Sequence, residues 1–164
     1  MRHAKSDWGH AAQRDFDRPL AARGESDAPR MGRWMRERGW VPDYVLSSPA
    51  QRARDTALKV CAALEWTGDG IQWDPAVYAA GLPRLLEVLG RCPARPNVLL
   101  IGHNPGLEEL LTYLARGSGT LPKADKLMPT AALAVLALPA DWQGLSAGSA
   151  RVLDWMTPKR LPDE

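Results

Sequence analysis

Residues 97–117 read NVLLIGHNPGLEELLTYLARG, a strand that turns into a helix within a few residues. Val98–Ile101 is a continuous apolar run, as expected of a strand buried on both faces of a sheet. Asn104 is a candidate helix cap and Pro105 suits the first helical position. Leu107, Leu110, Leu111 and Leu114 then recur at helical spacing until Gly117 stops the helix. Working outward, YVLSS (44–48) followed by PAQR has the same grammar. Ser48 can cap, Pro49 can start the helix and Gln51 can complete a capping box. Ala53, Ala57, Val60, Cys61 and Leu64 form the apolar stripe of that helix.

The remaining segments fit around these units. Residues 14–26, RDFDRPLAARGES, are polar and read as a structured loop; Met31, Trp34 and Met35 predict a helix over 27–40, ended near Gly39. TGDG (67–70) is a turn before a strand at Ile71–Trp73, and Leu82–Leu89 is a helix. Residues 118–130 read as an exposed loop. AALAVLAL (131–138) and ARVLDWM (150–156) predict a closing antiparallel strand pair. Alternating strands and helices imply an α/β fold, a mostly parallel central sheet flanked by helices in three layers. No linker or repeat divides the 164 residues, so a single domain spanning 1–164 is expected.

Composition narrows the function. With 45% hydrophobic residues, 24% charged residues and a net charge of +2, the chain matches an ordinary globular protein. That charge argues against wholesale nucleic-acid binding. The basic runs RWMRERGW and QRARD alternate sign with Glu37 and Asp55, which suits solvated helix faces. No apolar run reaches membrane-spanning length and no signal peptide is evident, which predicts no membrane partner. Cys61 and Cys92 have no metal-site spacing and read as reduced thiols, favouring a cytoplasmic location. Oligomeric state leaves no signature.

In open α/β sheets, ligands bind beyond the carboxyl ends of the strands. There the two strand-to-helix junctions would deliver Arg52 and His103, and the chain's start would deliver Arg2 and His3. Taken alone, each has a plain reading: a lone histidine at a strand end more often caps or packs, and first-turn arginines are often solvated. Brought together, the arginines would grip phosphate oxygens bidentately, one imidazole could attack phosphorus and the other could stabilise the phosphoryl charge. The histidines at 3, 10 and 103 match no ligand spacing, so neither a metal nor another cofactor is expected, and His10 reads as surface. Cys61 and Cys92 read as packing residues.

In order, the blocks RHAKSDW, DFDRPLAARGESDA, PDYVLSSPAQRARDTA and GHNPGLEELL closely resemble the histidine phosphatase superfamily, with its phosphoglycerate mutase-like fold, and within it the small SixA-type phosphohistidine phosphatases. The resemblance spans roughly residues 2–115 and implies that His3 becomes phosphorylated, with Arg2, Arg52 and His103 completing a phosphate pocket that works without metal. Ser6 and Asp7 could orient the loop behind His3. Arg18 could reach phosphate or pair with Asp15 or Asp17.

Two departures stand out. Relatives run an apolar strand into the Arg-His pair, whereas only Met1 precedes it here, so the first strand is expected to be truncated. That should cost core burial and ladder hydrogen bonds and leave His3 on a mobile terminus, unless the natural start lies upstream. Ester-cleaving relatives also carry a Glu after the third strand, where this chain reads WDPAVYAAG. Asp74 is a weak candidate for the acid, and a helix-initiating Asp-Pro turn explains it better. A missing acid suits a phosphohistidine substrate, whose leaving imidazole can be protonated near neutral pH. The expectation is therefore phosphatase action on a protein phosphohistidine. The alternatives are a small-molecule phosphoester phosphatase or an inactive phosphate-binding relative.

Overall fold

The computed structural model describes residues 1–9 and 14–162. Three strands, β1 (Tyr44–Ser47), β2 (Gln72–Trp73) and β3 (Val98–Ile101), form a parallel sheet in the order β2-β1-β3. Tyr44 pairs with Val98 and Ser47 with Ile101, so both chains leave the sheet at the same end. β4 (Leu133–Ala137) and β5 (Arg151–Met156) form the expected antiparallel pair.

Helices cover both faces. On one side, α1 (Ala22–Glu37) packs on α2 (Gln51–Leu64) over Val45, Leu99 and Ile101. On the other, α3 (Leu82–Gly90) and α4 (Gly106–Leu114) cover Leu46, with Leu100 packed against them. Successive strand residues thus feed opposite cores, as a pleated strand covered twice requires. The stripe predicted for α2 is buried as expected.

Several local expectations are corrected. The first helix starts at Ala22, inside the segment read as a loop, and it runs through Pro29. No polar cap marks this start in the sequence. Packing supplies it: a side chain at Gly24 would strike the Lys5 carbonyl, and one at Gly32 the Val60 carbonyl of α2. Those close approaches seat the helix and override the local cost of proline. Neither predicted cap forms, because α2 begins at Gln51 and α4 at Gly106 without a side-chain cap. Gln51 bonds Asp55 instead of closing a capping box. The loop over 118–130 is not wholly exposed either: Met128 is buried.

The start of the chain is not frayed. Arg2 bridges Gly102 in parallel. The Arg2 N–H reaches Ala132 O (3.0 Å), the His3 N–H reaches Gly102 O (3.1 Å), and the Ala131 N–H reaches His3 O (3.1 Å). Residues 1–3 therefore join the β3 side of the sheet to the β4 side, and Met1 and His3 are both buried. Behind Met1 these two sides are parted by an apolar cavity of about 200 Å³, lined by Val98–Leu100, Leu133–Leu136, Met35, Trp40 and Leu110. His3 itself is fixed by these backbone bonds rather than left on a mobile terminus.

Candidate active site

His3 sits where the opening segment leaves the sheet, and its chemistry follows from its neighbours. Its Nδ1 lies 2.7 Å from Ala4 O, which only accepts, so Nδ1 carries the proton. Arg52 Nε donates to His3 Nε2 at 3.3 Å, which is therefore a lone-pair nitrogen. The ring's backbone is held in turn, because the Ala4 N–H donates to Thr56 Oγ1 on α2. Burial, opposed by the Ala4 carbonyl and reinforced by His103 and the arginines, lowers the His3 pKa to about 3. A neutral imidazole with Nε2 unprotonated is the form that attacks an electrophile.

Arg52, the second residue of α2, is buried. Its Nη1 donates to Asp15 O (2.6 Å) and its Nη2 to Asp15 Oδ2 (3.0 Å). Arg2 donates from Nη1 to Met128 O (2.9 Å). His103 stands just past β3, its ring centroid 5.2 Å from that of His3. Its Nε2 lies 2.7 Å from Ser48 Oγ. Ser48 Oγ also accepts the Ala50 N–H (3.2 Å), so one hydroxyl ties the His103 ring to the start of α2. Burial first, then Arg52, lowers the His103 pKa to about 4, against the opposing pull of Asp15.

Among the described residues, three buried nitrogens of this group have no hydrogen-bond partner: Arg2 Nε, Arg18 Nε and His103 Nδ1. Leaving buried donors unpaired is costly, and an oxyanion would satisfy them. The structure brings together the four groups singled out in the sequence, the guanidiniums of Arg2 and Arg52 and the imidazoles of His3 and His103.

The other candidates fall differently. Arg18 is buried; it donates from Nη1 to Ser6 Oγ (2.6 Å) and from Nη2 to Asp15 Oδ1 (2.8 Å). Its guanidinium lies 3.7 Å from the ring centroid of the exposed Trp8. Ser6 is therefore tied to Arg18, while Asp7 accepts the Gly9 N–H within a turn. Asp74 accepts the Ala76 N–H (2.8 Å) at the start of a 3-10 turn, and its other oxygen faces Arg91. His10 lies outside the described residues. Arg36 pairs with Glu65 and Arg54 stacks over Trp73, so these members of the basic runs already have protein partners.

The sequence reading misses what three residues do in the site. Ser48, read as a cap, orients His103 instead. Asp15 forms the pair with Arg18 that the sequence offered, and it also ties that pair to Arg52, which the sequence did not show. Tyr78 donates its hydroxyl to Asp15 Oδ2 (2.8 Å) and sets its ring edge-on to His103. Asn104, read as a cap, and Glu108 both grip Met128: Asn104 Nδ2 donates to its carbonyl and Glu108 accepts its N–H. Spacing along the chain carries no signal for such contacts.

Residues 1–75 match the family model of the histidine phosphatase superfamily (branch 1). The chain belongs to this superfamily. An uncharacterized protein of Mycobacterium tuberculosis is 32% identical over 166 residues, covering 97% of this chain and 100% of its own length. An uncharacterized chloroplastic protein of Arabidopsis thaliana is 30% identical over 127 residues; that match covers 72% of this chain and 58% of the plant protein. Among solved structures, one from Agrobacterium tumefaciens assigned as the phosphohistidine phosphatase SixA superposes with a TM-score of 0.80 at 29% identity, covering 96% of this chain and 95% of that one. The superfamily fold is here of the SixA type.

Proposed function

We propose that the chain is a phosphatase that forms a phosphohistidine on His3 and acts on phosphohistidine in proteins. The observation that carries this reading is the unprotonated His3 Nε2, which the Ala4 contact on Nδ1 leaves as an acceptor beside Arg52. The phosphoryl group sits among Arg2, Arg52 and His103, which compensate its charge without a metal. His3 Nε2 attacks phosphorus as the substrate's P–N bond breaks, and the electron pair returns to the substrate imidazole. Water then attacks phosphorus, the His3–phosphorus bond breaks, and inorganic phosphate leaves.

The state of the carboxylates favours this substrate class. Burial works against ionisation of Asp15, but the Tyr78 hydroxyl and the Arg52 and Arg18 guanidiniums outweigh it and hold its pKa at about 2. It has no proton to give a leaving alkoxide at neutral pH, and Asp74 is engaged in its turn. A phosphohistidine ring already protonated on its other nitrogen departs as neutral imidazole without such help. The free thiols Cys61 and Cys92 support a reducing compartment such as the cytoplasm.

The test is metal-free phosphate release from a phosphohistidine-containing protein, beside His3→Ala. The expected result is turnover by the parent chain and a loss of at least about a thousandfold in the variant. Turnover of simple phosphoesters in preference would replace this reading with a small-molecule phosphatase. Binding of an oxyanion without release would leave a phosphate-binding protein.

A further inference from the structure

Asp15 is placed where a substrate would have to pass. His103, Arg52 and His3 are all buried, and Asp15 borders them through Arg52 and through Tyr78, whose ring meets His103. An in-line attack by His3 Nε2 directs the leaving group outward, towards the solvent side. That side carries the Asp15 carboxylate, whose side chain is 51% exposed, and the ring of Trp8, 72% exposed. Asp15 is locked there through both carboxylate oxygens and its backbone carbonyl. Oδ1 takes Arg18 Nη2, Oδ2 takes Arg52 Nη2 and the Tyr78 hydroxyl, and its backbone carbonyl takes Arg52 Nη1. Burial and the adjoining carboxylate push the Tyr78 phenol upward, so it remains a donor to Asp15.

We infer that Asp15 determines specificity for the leaving group: its fixed negative charge at the pocket mouth favours a departing nitrogen heterocycle that bears an N–H and disfavours one that leaves as an anion. This rests on the phosphatase reading above and names what that site selects. In a phosphohistidine, one ring nitrogen is bonded to phosphorus and the other can carry a proton. As the bond to His3 Nε2 forms and the P–N bond breaks, the electron pair returns to the ring and neutral imidazole departs. No proton moves in that step. Asp15 accepts a hydrogen bond from the distal N–H and stabilises the protonated ring. An ester's leaving oxygen instead gathers negative charge beside a carboxylate that is already ionised, which raises the barrier.

The experiment compares kcat/KM for a phosphohistidine peptide with that for 4-nitrophenyl phosphate, whose leaving group is an anion, in the parent chain, Asp15→Asn and Asp15→Glu. The expected result is a peptide-to-ester ratio that falls about tenfold or more in Asp15→Asn and is retained in Asp15→Glu. A merely structural role would depress both substrates together and leave the ratio unchanged in Asp15→Asn, which would overturn the inference. If Asp15→Asn does not fold, a changed ratio in the charge-retaining Asp15→Glu overturns it equally. A parent chain that cleaves the ester but not the peptide defeats the phosphatase reading itself, and that outcome is visible before any variant is made.

Discussion

The two strand-to-helix junctions, residues 47–52 and 101–106, look alike in sequence and do different work. Each has a polar residue, then a proline, then a helix, and in neither does the polar side chain cap the helix. The first places its functional group inside α2, where Arg52 is held by the helix and by Asp15. The second places His103 before α4, on a turn, with its ring anchored by Ser48 from the first junction. Asn104, the counterpart of Ser48, holds Met128 instead. The two junctions hold each other: Ser48 orients the His103 ring, and the Ser48 N–H is in turn held by Ile101 O at 3.0 Å.

The sharpest way to break this comparison is Arg52→Lys. It keeps the charge and loses the fork that spans His3 and Asp15, so turnover should fall by about a hundredfold or more with the fold intact. Steady-state kinetics beside a melting curve would show whether charge alone suffices.

Acidification reads the contrast as stability, since the first junction contributes a permanent cation and the second a buried neutral imidazole. His3 and His103 have pKa values lowered to about 3 and about 4, against an ordinary 6.5. Between those values the unfolded chain binds more protons, so stability rises with pH there and is lost as pH falls below 6.5. By pH 5 the loss should approach at most about 2 kcal/mol per histidine. Denaturation at pH 7 and pH 5 measures it, and His103→Gln should remove part of the difference.

A smaller effect separates the two polar residues. Ser48→Ala should lower kcat about tenfold with KM little changed, because His103 Nε2 loses its partner and the ring its orientation. Asn104→Ala should cost only a few-fold, because Glu108 and Arg2 still hold Met128. Equal losses in both variants would erase the asymmetry between the junctions.

Much of the fold and site was legible. Wherever an apolar run or stripe was long enough to impose its period, the predicted element appears, as in β3, α2, α4 and the closing strand pair. The start of α1 was not legible: it has no cap, contains Pro29, and owes its position to Gly24 lying against Lys5. The four candidates that converge could be named because each follows a recognisable motif. Asp15 and Tyr78 stand 63 positions apart in the chain and meet only through folding.

The sequence by itself determined the alternation of strands and helices, since backbone geometry ties each period to a local conformation. It also determined which guanidinium and imidazole groups would stand at the strand ends. Tertiary structure alone decided how those groups are held: the Ala4 carbonyl that fixes the His3 proton, the Ser48 hydroxyl turned from capping to His103, and the carboxylate of Asp15 at the mouth. Hydrogen bonds to a side chain are settled by whatever the fold brings within about 3 Å, and no local period encodes that.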